Sequence, residues 1–111
     1  MSDDDQLDAA FAALAHPVRR AILARLAKGT ASVNALAEPF EMSLPAVSKH
    51  IRVLENAGLI SRKKDAQFRL CTIETKPIQD IANWTEQYRP IWDARFYTMD
   101  NVLKDMKEPD K

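Results

Sequence analysis

The side chains best able to bind an anionic or polar partner are concentrated in residues 43–70. This stretch carries six basic and two acidic side chains, whereas the segments before and after it each have a net charge of −2. The chain as a whole has no net charge, with 16 basic and 16 acidic residues, so the basic character is local. A basic cluster can bind an anion or only face solvent. The elements that carry these cations therefore decide the interpretation.

Within this stretch, residues 43–58 have the pattern of one amphipathic helix. Ser43 is a good N-cap, Pro45 is tolerated in the first turn, and Gly58 favours an end to the helix. Apolar side chains recur at intervals of four and three residues, which predicts a buried face. The other face is small, polar and basic, and its candidate binding residues are Ser43, Pro45, Ala46, Ser48, Lys49 and Arg52.

Two strand-like segments, residues 59–63 and 67–73, follow this helix. Residues 64–66 have the composition of a turn, so the sequence predicts a β-hairpin with a basic tip. In the second segment Phe68, Leu70 and Thr72 alternate with residues 69, 71 and 73, and the pattern leaves open which face is packed. The hairpin contributes four further candidate binding residues: Arg62, Lys63, Lys64 and Arg69.

Helices on both sides must position this region. A first helix, capped by Asp4 or Asp5, is expected to carry Leu7, Phe11 and Leu14 on one side. A second begins at Pro17 and ends near Gly29, and a short third begins after Ser32. A helical pattern over residues 76–107 contains Pro90, which should kink or split it. The chain is thus expected to be a single domain, residues 1–111, that is mainly α with a small β-hairpin.

Two short helices, a tight turn, an exposed basic helix and a basic hairpin are a suitable arrangement for binding double-stranded DNA. Serine, lysine and arginine can read base edges in the major groove, and Pro45 and Ala46 can contact thymine methyl groups. Cations on the hairpin can contact phosphates and add affinity without sequence information. The rival hypothesis is an interaction module that uses its basic face to bind an acidic protein and never binds DNA.

Two motifs resemble those of ArsR-type regulators. Residues 14–23, LAHPVRRAIL, are similar to the family's second helix, and residues 43–60, SLPAVSKHIRVLENAGLI, are similar to its recognition helix and the entrance to its wing. The resemblance spans residues 7–73 and implies a winged helix-turn-helix core. It also implies a transcriptional regulator, usually a repressor, that forms a homodimer through its first and last helices. The expected interface residues are Leu7, Phe11, Ile81, Trp84, Tyr88, Trp92, Phe96 and Met99.

The aromatic stripe on the last helix leaves two interpretations open. The spacing of Trp84, Tyr88, Trp92 and Phe96 favours a dimer core, since aromatic side chains bury large apolar areas. The alternative is a pocket for an unidentified small-molecule effector near the break at Pro90.

The chain departs from the metal-sensing members of the family that it resembles. Ser32 and Asn34 stand at the positions of a Cys-x-Cys metal motif, and no histidine follows His50. We therefore expect no metal and no cofactor. His16 is expected to be a helix-junction residue, and His50 to form a hydrogen bond or face a phosphate. The single cysteine, Cys71, is expected to be a packing residue, with a redox sensor as the alternative. No set of residues suggests catalysis. An acidic N-terminus and the lack of a long apolar run predict a cytoplasmic protein without a membrane span.

Overall fold

A computed structural model describes residues 3–65, 68–91 and 93, with the backbone alone for residues 3, 64, 65 and 68. It confirms a mainly helical winged helix-turn-helix fold with a β-hairpin. In chain order the elements are α1 (Asp3–Leu14), α2 (Pro17–Leu26), β1 (Ala31–Ser32), α3 (Val33–Ala37), α4 (Leu44–Asn56), β2 (Ile60–Asp65), β3 (Phe68–Ile73) and α5 (Thr75–Glu86).

Side-chain caps start three of these helices where the sequence predicts. The hydroxyl groups of Ser32 and Ser43 accept hydrogen bonds from the first turns of α3 and α4. At α2 the cap is His16, whose Nδ1 accepts from the Val18 N–H at 3.1 Å, while Pro17 occupies the first helical position. The expectation that Asp4 or Asp5 caps α1 is wrong, because the helix already includes Asp3. Their carboxylates instead stand in its first turn, where negative charge is favourable.

The sheet contains a strand that the sequence did not predict. Its order is β1-β3-β2, and β1 pairs antiparallel with β3 through Ala31↔Cys71 and Ser32↔Leu70. Residues 64 and 65, predicted as a turn, continue β2, since Lys64↔Arg69 and Asp65↔Phe68 extend the ladder. The rest of that predicted turn, residue 66, lies outside the described residues.

The core lies between α4, the other helices and the base of the hairpin. The predicted inward face of α4 is confirmed, since Val47, Ile51 and Leu54 are fully buried. The base of the hairpin adds Leu59 and Cys71, also fully buried. Cys71 thereby settles which face of β3 is packed. The buried face of β3 therefore packs into the same core as the inner face of α4, and this core fixes the direction of the outer face of α4.

The helix α1 contacts the core mainly through small side chains. Ala10 and Ala13 are buried, whereas Leu7 is half-buried and Phe11 is 37% exposed. Alanine lets two helices approach closely, so the larger side chains are displaced towards the periphery. Phe11 is thus left with much of its ring uncovered.

The chain divides into two compact units after Ile81, within α5. In the first unit Ile78 and Ile81 pack against the core, so this chain's own core partly covers Ile81, a predicted interface residue. In the second unit α5 ends at Glu86, and helical structure resumes at Arg89. Pro90 explains the break, because a proline ring clashes with the carbonyl four residues earlier, here that of Glu86.

The second unit displays large apolar side chains. Trp84 and Tyr88 pack edge to face with ring centroids 5.1 Å apart, yet both remain substantially exposed, as does Ile91. Three other residues predicted for the dimer interface, Trp92, Phe96 and Met99, lie outside the described residues.

Candidate nucleic-acid interface

The exposed face of α4 brings the predicted helix residues together. Pro45, Ser48, Lys49 and Arg52 line one shallow depression on its surface. Ala46 is half-buried beside them, and its N–H donates to the Ser43 hydroxyl at 3.3 Å. Two basic side chains and one hydroxyl group therefore lie on the outer side of a helix whose opposite side is buried in the core.

A residue that the sequence analysis missed extends this face. Leu44, the first residue of α4, is 45% exposed. It lines a crevice with Ser48, Arg62 and Arg69, and with the start of α3. Leucine side chains are more often buried than exposed in folded proteins. The available signal for the exposure of Leu44 was its position directly after the N-cap, outside the apolar repeat that begins at Val47.

The hairpin stands beside this end of α4. Lys63 and Arg69 are exposed, and Arg69 shares the crevice with Ser48. Lys64 pairs with Arg69 in the ladder, and only the backbone of Lys64 is described. The fold thus places the base-facing candidates on α4 next to the candidate phosphate contacts on the hairpin.

Arg62, predicted as a DNA contact, has an intramolecular partner. Its Nη2 and Nε donate to Glu55 Oε1 of α4 at 2.9 and 3.2 Å, and the two side chains are 17% and 34% exposed. The hydrogen bond from Arg62 lowers the pKa of the Glu55 carboxyl, and the same bond raises the pKa of Arg62. The pair ties the hairpin to α4, and no sequence pattern indicated it.

Cys71 is a core residue with little nucleophilic character. Its side chain is fully buried, and burial raises the pKa of the thiol, against a smaller opposing effect of Arg62. A redox sensor needs an exposed thiol with a lowered pKa. The geometry therefore favours packing over redox sensing.

The two histidines lie where α4 meets the junction between α1 and α2. The rings of His16 and His50 lie 4.4 Å apart between centroids, tilted by 44°. His50 Nδ1 is 3.2 Å from Nη1 of Arg19, a residue of α2. Within residues 3–65, 68–91 and 93, no group of three or more histidine, cysteine or acidic side chains is arranged to hold a metal ion. Nor does any helix in those ranges have the length and apolar character that a bilayer span requires.

Comparison with known proteins reveals close relatives of this chain. A helix-turn-helix domain family matches residues 14–62. The transcriptional repressor SdpR of Bacillus subtilis (strain 168) is 36% identical over 74 residues, which are 67% of this chain and 82% of that protein.

Solved structures show the same similarity. The crystal structure of an ArsR family transcriptional regulator, RHA00566, has a TM-score of 0.75 and 41% identity, covering 83% of this chain and 95% of that one. The winged helix-turn-helix domain of Mb0332 from Mycobacterium bovis, described as homodimeric, has a TM-score of 0.62 and 26% identity. The match covers 86% of this chain and 91% of that one.

Proposed function

The chain belongs to the ArsR family of DNA-binding transcriptional regulators, and from this premise we propose that it binds an inverted-repeat operator as a homodimer and represses transcription. The observation that carries the proposal is the continuous exposed surface formed by Leu44, Ser48, Lys49, Arg52 and Arg69. It combines a helix narrow enough for the major groove with an adjacent basic hairpin.

A homodimer accounts for the uncovered apolar side chains of both units. Phe11 in the first unit, and Trp84, Tyr88 and Ile91 in the second, expose large apolar areas. Exposed aromatic side chains of this size are typical of interfaces. In Mb0332 the corresponding domain is homodimeric. Two recognition helices in such a dimer would lie about 34–36 Å apart, one turn of DNA, and the operator would be an inverted repeat.

The division of labour follows from position on the surface. We propose that Pro45, Ala46, Ser48, Lys49 and Arg52 read or flank bases, because the exposed side of α4 is the part that can enter the groove. Ser43 is the N-cap of α4, and its exposed position at the N-terminus of this helix suits a phosphate contact. Lys63, Lys64 and Arg69 are assigned to the phosphate backbone.

We also propose that the protein acts without a metal. Ser32 and Asn34 stand where metal-sensing members of the family have cysteines, and neither supplies a thiolate. The hydroxyl of Ser32 is already engaged, since it accepts from the Ala35 N–H at 3.1 Å to cap α3. A small-molecule effector stays a prediction from the sequence.

The experiment that tests this function is selection of duplexes from a random pool by the purified protein, followed by fluorescence anisotropy across a salt titration. We expect an inverted repeat and an affinity that falls steeply with salt, because bound lysines and arginines release counterions. Weak binding with no selected motif would contradict the proposal and favour the protein-interaction module.

Replacing Arg52 with alanine should weaken binding to the selected duplex by about 1–3 kcal/mol and relax the preference at one base position. The matched change on the hairpin, Arg69→Ala, should weaken all duplexes alike and reduce the salt slope by about 0.9. Anisotropy on the selected duplex and on its single-base variants distinguishes the two. Equal losses on every sequence from both changes would refute the division of labour.

Leu44 is expected to contact the methyl group of a thymine, since an exposed aliphatic side chain at the start of a recognition helix has few other favourable contacts in a groove. Replacing the contacted thymine with uracil removes only that methyl and should cost the wild-type protein about 1 kcal/mol. Leu44→Ala should bind both duplexes equally. Loss of affinity on uracil substitution in the variant as well would show that another residue makes the contact.

A further inference from the structure

Arg19, a residue of α2, connects the end of α1 to the recognition helix α4. Its Nε donates to the Ala13 carbonyl oxygen at 2.6 Å, and its Nη2 donates to the Ala12 carbonyl oxygen at 3.2 Å, so it caps the end of α1. From the same guanidinium, Nη1 lies 3.2 Å from Nδ1 of His50 on α4. One side chain of α2 thus bridges the end of α1 and the recognition helix.

This geometry determines the protonation state of His50. Arginine has only donors, so Nδ1 must be the acceptor, and His50 is neutral with its proton on Nε2. Burial lowers the pKa of His50, and His16, Arg19 and Lys49 lower it further. These are the charged or titratable groups facing His50 from the α1–α2 junction, from α2 and from α4 itself.

Within the described residues, the other elements packed against α4 supply no negative charge that favours protonation of His50. α3 has no titratable side chain, and in β2 the guanidinium of Arg62 is paired with Glu55. Residues 11–14, the end of α1 beside Arg19, have no titratable side chain. His50 is therefore surrounded by groups that oppose its protonation.

We propose that Arg19 is a positioning residue that holds the recognition helix against the α1–α2 junction through neutral His50, and that protonation of His50 releases this clamp and weakens operator recognition. The inference rests on the proposed function, because its main consequence is a change in operator affinity. Protonation turns Nδ1 from an acceptor into a donor facing another donor, and it places two positive charges side by side.

The direction of the pH dependence follows from the lowered pKa. The unfolded chain binds a proton at His50 near the ordinary value of about 6.5, whereas the folded chain does so only at lower pH. The stabilisation supplied by neutral His50 is therefore complete above that ordinary value and is lost as the pH falls towards the folded value. Nonspecific DNA binding should change in the opposite sense, because protonation adds positive charge.

The test compares affinity for the selected duplex with affinity for a shuffled duplex, at constant ionic strength, from about pH 7.5 to about pH 5. For the wild-type protein we expect the ratio to fall about tenfold, comparable to the loss of one hydrogen bond to a charged group. His50→Asn should show a flat ratio, since an amide oxygen can replace Nδ1 as acceptor and does not titrate. His16→Asn, which preserves an N-cap, should keep a pH-dependent ratio, with the transition moved to higher pH because one group that lowers the pKa of His50 is removed.

One further variant and one further readout complete the test. Arg19→Lys keeps the charge but lacks the planar fork, so it should lose operator affinity about tenfold at neutral pH and show little further loss on acidification. In the absence of DNA, the free energy of unfolding measured by urea denaturation should fall more on acidification for the wild type than for His50→Asn.

The outcomes separate the inference from the proposed function. A selected duplex whose recognition depends on pH equally in the wild type and in His50→Asn overturns the clamp and leaves DNA binding intact. If no duplex is selected, the proposed function fails, and the stability comparison still decides whether His50 titrates against Arg19. Equal stability profiles for the two proteins would overturn the inference in that case as well.

Discussion

Replacing Leu54 with alanine is expected to lower the free energy of unfolding by about 2–5 kcal/mol. Leu54 lies on the buried face of α4 and is fully inaccessible to solvent. Its truncation removes apolar contacts with the core and leaves a cavity that close-packed neighbours fill only partly. Because domains of this size are marginally stable, the loss is a large fraction of the total. Urea denaturation followed by circular dichroism measures it.

The same chemical change at the other end of this helix supplies the control. Leu44→Ala deletes the same atoms from a side chain that is 45% exposed, so we expect a change within about 0.5 kcal/mol. The pair separates burial from any effect of leucine on helix propensity. Similar losses in both variants would mean that the side on which α4 is buried has been misassigned.

Replacing Arg62 with alanine is expected to lower the free energy of unfolding by about 1.5–3 kcal/mol, the contribution of hydrogen bonds to a charged group. The guanidinium of Arg62 donates twice to Glu55 from a site where it is only 17% exposed. Removing it leaves the Glu55 carboxylate half-buried without this partner and detaches the hairpin from α4. Arg69→Ala, on the neighbouring exposed strand position, should leave stability nearly unchanged.

DNA binding provides a second measure of the same pair. If Arg62 is committed to Glu55, Arg62→Ala should leave the salt slope of binding unchanged, whereas Arg69→Ala should reduce it by about 0.9. A double-mutant cycle with Glu55→Gln should give a coupling energy of at least about 0.5 kcal/mol. A reduced salt slope for Arg62→Ala would instead show that Arg62 leaves Glu55 to contact phosphate.

The contribution of the Arg62–Glu55 pair to the free energy of unfolding should also depend on pH. The pKa of Glu55 is lowered in the folded protein, so its contribution is complete above the ordinary pKa of a glutamate and is lost as the pH falls through the folded value. The difference in stability between the wild type and Glu55→Gln should therefore shrink in acid.

The sequence by itself determined the features that depend on neighbours within a turn or two. The buried face of α4 follows from its apolar period, and Ser32, Ser43 and Pro17 mark helix starts because their effects act on the adjacent backbone. These local signals, together with the two family motifs at residues 14–23 and 43–60, were sufficient to predict the family and DNA binding.

Only the tertiary structure decided which partners meet across the chain. Strand β1 is two residues long and exists because Ala31 pairs with a residue 40 positions later, Cys71, which no local pattern can indicate. Small alanines rather than Phe11 face the core from α1, because helix packing selects for close approach.

The charged side chains show the same dependence on the fold. Arg62 looked like a phosphate ligand in the sequence, yet the packing of the hairpin on α4 brings it to Glu55. Arg19 and His50 are 31 residues apart, and they meet because α2 packs against α4. Charge and residue type are properties of the sequence, but the partner that satisfies each charge is selected by three-dimensional proximity.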